Sequence, residues 1–156
     1  MSRPKTVTGY EPRFDYDIRR GKVGEEYVGT ILEAIQNGSV EVKTDYGSNK
    51  TGNVFVEFEQ KAAKGEWKPS GIASSEAEFW AYAFKDGAIF IKKDALQNLC
   101  KTVLEESPTI IKDGEEFPER VGHRQGNANS NSTRGVKLPV ARLAAALKNF
   151  GKSDVN

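Results

Sequence analysis

Nine consecutive residues, Asn53 to Lys61, constrain this chain more than any other stretch. Val54, Val56 and Phe58 fall on one side of a period-two pattern, and Phe55, Glu57, Glu59 and Lys61 on the other. That is a β-strand with one face made for a core. Its opposite face carries two acids and a base in a row with gaps of about 7 Å, next to an aromatic ring. An outward Glu/Lys row is ordinarily solvated, with cross-strand ion pairs of about 0.2–1 kcal/mol. Phe55 does not suit that explanation, because a solvated face would strand its ring in water.

The flanking segments set this strand in an α/β pattern. Ser39 to Thr44 alternates as well, with Val40, Val42 and Thr44 opposite Glu41, Lys43 and Asp45, and the loop Tyr46–Gly52 follows. Two alternating strands with a short loop predict an antiparallel hairpin, which would bring Asp45 alongside the Glu57 row. Upstream, Val28, Ile31, Leu32 and Ile35 recur at helical spacing within Gly21–Gln36, and Asn37-Gly38 ends the run. Glu25 projects from the same side as that stripe, so an acid at a buried edge, in need of a partner, is expected there.

Downstream, a short helical turn is expected near Glu76–Phe79. Trp80–Phe84 and Ala88–Lys92 flank the hairpin signal Lys85-Asp86-Gly87. Asp94 reads as the N-cap of a helix reaching about Glu105, with Cys100 on its apolar face. Pro108–Arg120 reads as irregular, Val136–Leu138 as a short strand, and Val140, Leu143, Leu147 and Phe150 as a last helix. The expected fold class is α/β, a central mixed β-sheet flanked by α-helices. The expected organisation is a mobile arm over 1–12, one domain over 13–151 with a mobile loop at about 124–135, and a tail over 152–156.

Composition removes several function classes. The 156 residues include one cysteine and one histidine, so a disulfide framework, a multi-Cys zinc site and paired-His zinc catalysis are all out of reach. Any metal must be a hard ion held by carboxylates and water. No window approaches the ~18 apolar residues of a spanning helix, and the N-terminus lacks a secretory signal, so a soluble intracellular protein without membrane contact is expected. The net charge is +1, with residues 1–22 carrying +3 and the remainder −2. A basic first segment can grip phosphate, although block charge alone names no partner.

Glu25, Asp45 and Glu57 are the acids that need a reason. Carboxylates brought to one place repel each other unless a cation neutralises them, and oxygen donors suit Mg²⁺ or Mn²⁺. The ordered run Gly24-Glu25, Val40-Glu41-Val42-Lys43-Thr44-Asp45 and Thr51-Gly52-Asn53-Val54-Phe55-Val56-Glu57-Phe58-Glu59 resembles the PD-(D/E)xK nuclease superfamily. It is most similar to the small phage-encoded, restriction-endonuclease-like or resolvase-like members. Lys68-Pro69-Ser70-Gly71-Ile72 and Ala77-Glu78-Phe79-Trp80 continue the likeness, which covers about Gly21 to Phe84.

The resemblance implies a Mg²⁺- or Mn²⁺-dependent endonuclease acting on DNA, including branched or junction DNA, as a homodimer and with no small-molecule cofactor. It implies Asp45 and Glu57 as metal ligands and Glu25 as a helix acid assisting through a water. Glu59 stands where the motif lysine usually sits. A second register takes Glu59-x-Lys61 as the literal motif pair, and Lys61, Lys43 and Lys68 all remain candidates for the missing lysine. Arg13, Arg19, Arg20 and Lys22, with Lys43, Lys68 and Ser70, form the expected nucleic-acid-binding set. The displaced lysine leaves a second function class open, a catalytically silent nuclease-like module that binds nucleic acid or a protein. A third is a structural α/β protein with no nucleic acid at all.

Overall fold

The computed structural model describes residues 12–148, with side chains described from 17 onward. Its contacts divide the chain into two units where the sequence predicts one domain: residues 1–37 with 148–156, and Gly38–Leu147. The expected arm lies outside the described residues except for Pro12, and the tail lies outside them entirely.

In the first unit, α1 spans Pro12–Gln36, starting earlier than the periodicity predicts. Its expected core stripe is not buried. Val28, Leu32 and Ile35 are 54%, 56% and 47% exposed, and among the described side chains of α1 Ala34 is the buried one. Glu25 is exposed too, so the argument that a buried edge forces a partner on it fails.

In the second unit, β1 (Val40–Thr44) is followed by one helical turn, α2 (Ser48–Thr51), then β2 (Asn53–Lys61), β3 (Lys68–Pro69) and a 3-10 turn at Gly71–Ala73. After these come β4 (Phe79–Phe84), β5 (Gly87–Lys92), α3 (Lys93–Glu106), β6 (Thr109–Lys112), β7 (Glu115–Pro118), β8 (Val121–Arg124), β9 (Ser132–Pro139) and α4 (Val140–Ala145). The architecture is α/β, with a mixed sheet and an antiparallel sheet carrying helices against them. This is the α/β fold with a mixed sheet and flanking helices expected from sequence, its strands shared between two sheets and a hairpin. One sheet has the order β1-β4-β5 and the other β3-β2-β9-β8, with β6-β7 a separate hairpin.

The predicted β1–β2 hairpin does not form. Asp45 Oδ1 accepts the Gly47 amide at 3.0 Å, and the loop closes as α2 rather than as a tight turn. β1 instead runs parallel to β4, with Val40 opposite Phe79 and Thr44 opposite Ala83. β2 takes β9 and β3 as antiparallel partners. The β4–β5 hairpin forms as predicted, with Phe84 opposite Gly87.

The stretch read as irregular, Pro108–Arg120, holds the β6–β7 hairpin. Its turn, Asp113-Gly114, has φ of +52° and +79°, the pair of left-handed residues that a primed two-residue turn requires. The expected helix near Glu76–Phe79 is absent; the turn forms earlier, at Gly71–Ala73, and Phe79 already belongs to β4. α3 starts at Lys93, so Asp94 lies in its first turn, where an acid suits the helix dipole, and is not the cap. The loop expected at 124–135 narrows to 125–131, where Ser130 and Ser132 hydroxyls accept the Asn127 and Gly126 amides.

The core lies between the sheets and α3. Val54 and Val56 of β2, Trp80 and Tyr82 of β4, Ile91 of β5, and Val136 and Leu138 of β9 enclose Leu96, Cys100 and Val103 of α3, with Ile72 and Leu143 completing it. Burial pushes the Cys100 thiol up to about 12. At pH 8 the native protein should therefore react with a thiol reagent such as DTNB slower than the unfolded chain by on the order of a hundredfold or more. Equal rates would contradict this packing.

Candidate functional site

Asp45 directly follows β1 on the face shared by Glu41 and Lys43, which stand opposite Trp80 and Tyr82 of β4. Its carboxylate is fixed by two main-chain donors. Gly47 donates to Oδ1 and Phe55 to Oδ2, each at 3.0 Å, so the residue ties the end of β1 to β2 without any strand pairing. The side chain is 17% exposed, and Arg124 Nη2 stands 3.5 Å from Oδ2.

Glu57 lies on the Phe55 side of β2, and a separate segment holds it. The Ser70 hydroxyl, in a residue only 4% exposed, donates to Glu57 Oε1 at 2.6 Å. Ser70 is itself anchored by its amide on the Phe58 carbonyl at 3.0 Å. Gly71 then lies so close to β2 that a Cβ there would stand 2.2 Å from the Glu57 carbonyl oxygen, and its φ is +51°. No other residue type meets both conditions. The Ser-Gly pair of the sequence motif is thus a brace for Glu57. Ser70, expected among nucleic-acid contacts, is buried, and its hydroxyl is committed to this carboxylate.

Asp45 and Glu57 line one recess of about 400 Å³, together with Lys43, Phe55, Trp80, Tyr82 and Arg124. Asp45 also borders a recess of about 830 Å³ reaching Tyr46, Phe84, Ile89 and Val140, and another of about 240 Å³ reaching His123 and Lys137. Lys43 Nζ lies 2.5 Å from Glu41 Oε1 and 5.2 Å from the Trp80 ring centre. The Tyr82 hydroxyl is buried and has no hydrogen-bond partner. Burial first, then the Cys100 and Asp45 side chains, push its pKa above the usual tyrosine range, so it keeps its proton.

The Glu57–Glu59–Lys61 row predicted from sequence is broken. Glu57 stands opposite Gly135, but Glu59 stands opposite Arg134, so β2 holds one extra residue, Phe58, at a bulge. Adjacent residues of β9 face opposite ways, and the bulge therefore sends Glu59 and Lys61 to the other side of β2 from Glu57. There Glu59 pairs with Arg134 Nη1 at 3.0 Å, and that guanidinium stacks on Trp67 at 4.0 Å. Lys61 lies 5.4 Å over the same ring, so Trp67 is covered by the protein's own cations. Lys68 is exposed on β3.

Glu25, Arg19, Arg20 and Lys22 are exposed on α1 of the other unit, and the Arg13 side chain lies outside the described residues. Among the described residues, no cluster of three or more His, Cys, Asp or Glu side chains is placed to hold a metal ion. Asp45 and Glu57 share one recess, and Glu25 is not part of it. His123 is half-buried, edge-on to Phe117 at 4.9 Å, and burial first of all holds its pKa below the usual value.

Two residues of the recess were not singled out from sequence. Arg124 belongs to β8, a four-residue strand with a glycine in it, too short to show a period. Tyr82 was legible only as one residue of an apolar strand, although its alternation with Trp80 places both on one face.

Gly71→Ala should destabilise the protein by about 3 kcal/mol or more, because it combines a left-handed backbone with a main-chain clash. Urea unfolding measures this, and a near-neutral value would contradict the Gly71–Glu57 approach. Tyr82→Phe, by deleting a buried hydroxyl that lacks a partner, should raise stability by about 1 kcal/mol. A loss of stability in the same assay would mean that the hydroxyl is bonded.

No protein-family model, no curated protein and no solved structure matches this chain.

Proposed function

We propose that the Gly38–Leu147 unit carries a nuclease site that hydrolyses phosphodiester bonds in DNA with Mg²⁺ or Mn²⁺, in the manner of the PD-(D/E)xK enzymes its sequence resembles. The observation that carries this reading is the meeting of Asp45 and Glu57 in one recess, each held by donors from a different segment. Two acids on one recess wall repel each other, and the cations lining it are weakly placed to offset them, since Arg124 stands at a long 3.5 Å from Asp45 and Lys43 is engaged by Glu41, so a divalent ion suits the place.

The donor set fits a hard divalent ion. It offers two carboxylates and no nitrogen or sulfur ligand, and Mg²⁺ commonly takes one or two protein carboxylates and keeps waters and phosphate oxygens for the rest. The buried Tyr82 hydroxyl on the same wall supports the fit, being an oxygen with unmet hydrogen-bonding capacity. Bound there, such an ion supplies Lewis acidity toward a phosphodiester and a lowered pKa for a water. Asp45 and Glu57 would hold it. Ser70 fixes the direction of Glu57, and Lys43, steadied by Glu41 and Trp80, contributes positive charge near the place where negative charge develops. Of the lysines offered by the sequence for the motif position, Lys43 is the one that lines this recess.

Such an enzyme works inside a cell, and two copies act where both strands are cut. No described helix is long and apolar enough to cross a membrane.

Glu57→Gln is the discriminating variant, since glutamine keeps the oxygen that Ser70 donates to and loses only the charge. With linear, single-stranded and four-way-junction DNA, it should lower Mg²⁺-dependent cleavage by at least about a hundredfold while leaving the unfolding midpoint almost unchanged. Asp45→Asn should also abolish cleavage, but at a stability cost of about 1–3 kcal/mol, because one amide oxygen cannot accept from both Gly47 and Phe55. DNA binding without Mg²⁺-dependent product from the wild type would make this a silent binding module instead. Undiminished cutting by Glu57→Gln would refute the site.

A further inference from the structure

We propose that Arg124 is the group that receives a backbone phosphate of the nucleic acid in the Asp45–Glu57 recess, a second positive part beside Lys43. The proposal rests on the nuclease reading and adds to it a residue that the motif does not contain.

Two cations line the recess among the described residues, Lys43 and Arg124. They are held very differently. Lys43 is engaged by Glu41 at 2.5 Å. Arg124 has a 60% exposed side chain, and its ion pair with Asp45 is long, at 3.5 Å. A pair that long, with the arginine largely in solvent, contributes little, so the guanidinium is available for a better acceptor.

Its orientation is nevertheless built. The guanidinium carbon lies 4.0 Å from the centre of the Phe55 ring. The ring face positions the group without using its N–H donors, which form the fork that matches two phosphate oxygens. Phe55 in turn is fixed by two glycines that face each other across β8 and β9, Gly122 and Gly135. A Cβ at Gly122 would lie 2.9 Å from the ring, and one at Gly135 would lie 2.7 Å from it. The aromatic ring on the polar face of β2 is therefore a seated platform for an arginine, which an outward solvated face would not need.

Arg124 also borders the adjoining recess that holds His123 and Lys137, so it stands on the ridge between the acidic recess and a second cation. A strand with one phosphate between Asp45 and Glu57 would meet Arg124 beside that phosphate.

The test uses the full chain, a labelled four-way junction and a labelled linear duplex, with Ca²⁺ replacing Mg²⁺ for binding and Mg²⁺ restored for cleavage. Wild type, Arg124→Ala, Arg124→Lys and Glu57→Gln are compared, with thermal melts to establish folding. Arg124→Ala should bind more weakly by about tenfold, lower the slope of log binding constant against log salt by about 0.9, the value of one phosphate contact, and slow cleavage by a similar factor. Arg124→Lys should restore the slope but recover affinity and cleavage only in part, because a point charge replaces the fork.

An unchanged slope in Arg124→Ala, or an Arg124→Lys variant equal to wild type in affinity and cleavage, would overturn the proposal. If Glu57→Gln is inactive while Arg124→Ala behaves as wild type, the role of Arg124 falls and the nuclease site stands. If the wild type gives no Mg²⁺-dependent product on either DNA, the nuclease reading falls, and the role given to Arg124 falls with it.

Discussion

The Asp45 carboxylate is the interaction on which the site depends. One oxygen accepts from Gly47 and starts the turn that ends β1; the other accepts from Phe55 and fastens that turn to β2. Those strands belong to different sheets and share no ladder. A half-buried carboxylate satisfied by two amides therefore does locally what strand pairing does elsewhere. It also leaves the acid pinned where three recesses meet, with little freedom to choose another direction.

The second acid depends on a different device. Bulge and brace act together on β2. The extra residue at Phe58 rotates everything after it, so that Glu57 faces the recess and Glu59 faces Arg134. Ser70 and Gly71 close on Glu57 from the other side, the hydroxyl fixing the carboxylate and the missing side chain allowing the approach. Without the bulge a strictly alternating strand would present both acids to one face, and their repulsion would have to be met in one place. With it, each acid has its own cation nearby: Arg124 and Lys43 line the recess, and Arg134 lies under Trp67.

What could be read from the sequence follows from the range of each interaction. Strand β2, the β4–β5 hairpin and helix α3 announce themselves because their periods and turn residues are local. The partners of β2 do not, because its residues pair with β9 residues 71 to 86 positions further along the chain, and pairing at that distance leaves no local mark. The bulge is equally silent, since nothing in Glu57-Phe58-Glu59 distinguishes a bulged strand from a regular one. Asp45 and Glu57 stood out as acids on the polar sides of two alternating segments, and both line one recess by a route other than the expected hairpin. Arg124 was invisible because a four-residue strand shows no period. Glu25 was over-read, since an apolar stripe on a helix need not be buried, and that of α1 is exposed.

The central claim is that the Asp45–Glu57 recess holds a divalent cation, and paramagnetic relaxation reads it most directly. Titrating ¹⁵N-labelled protein with Mn²⁺ at substoichiometric ratios should broaden first the amides of Gly47, Phe55 and Gly71, which surround the two carboxylates, and should fail to do so in a variant lacking the Glu57 charge. Broadening centred instead on the acidic β6–β7 hairpin, or none at these amides, would contradict the account.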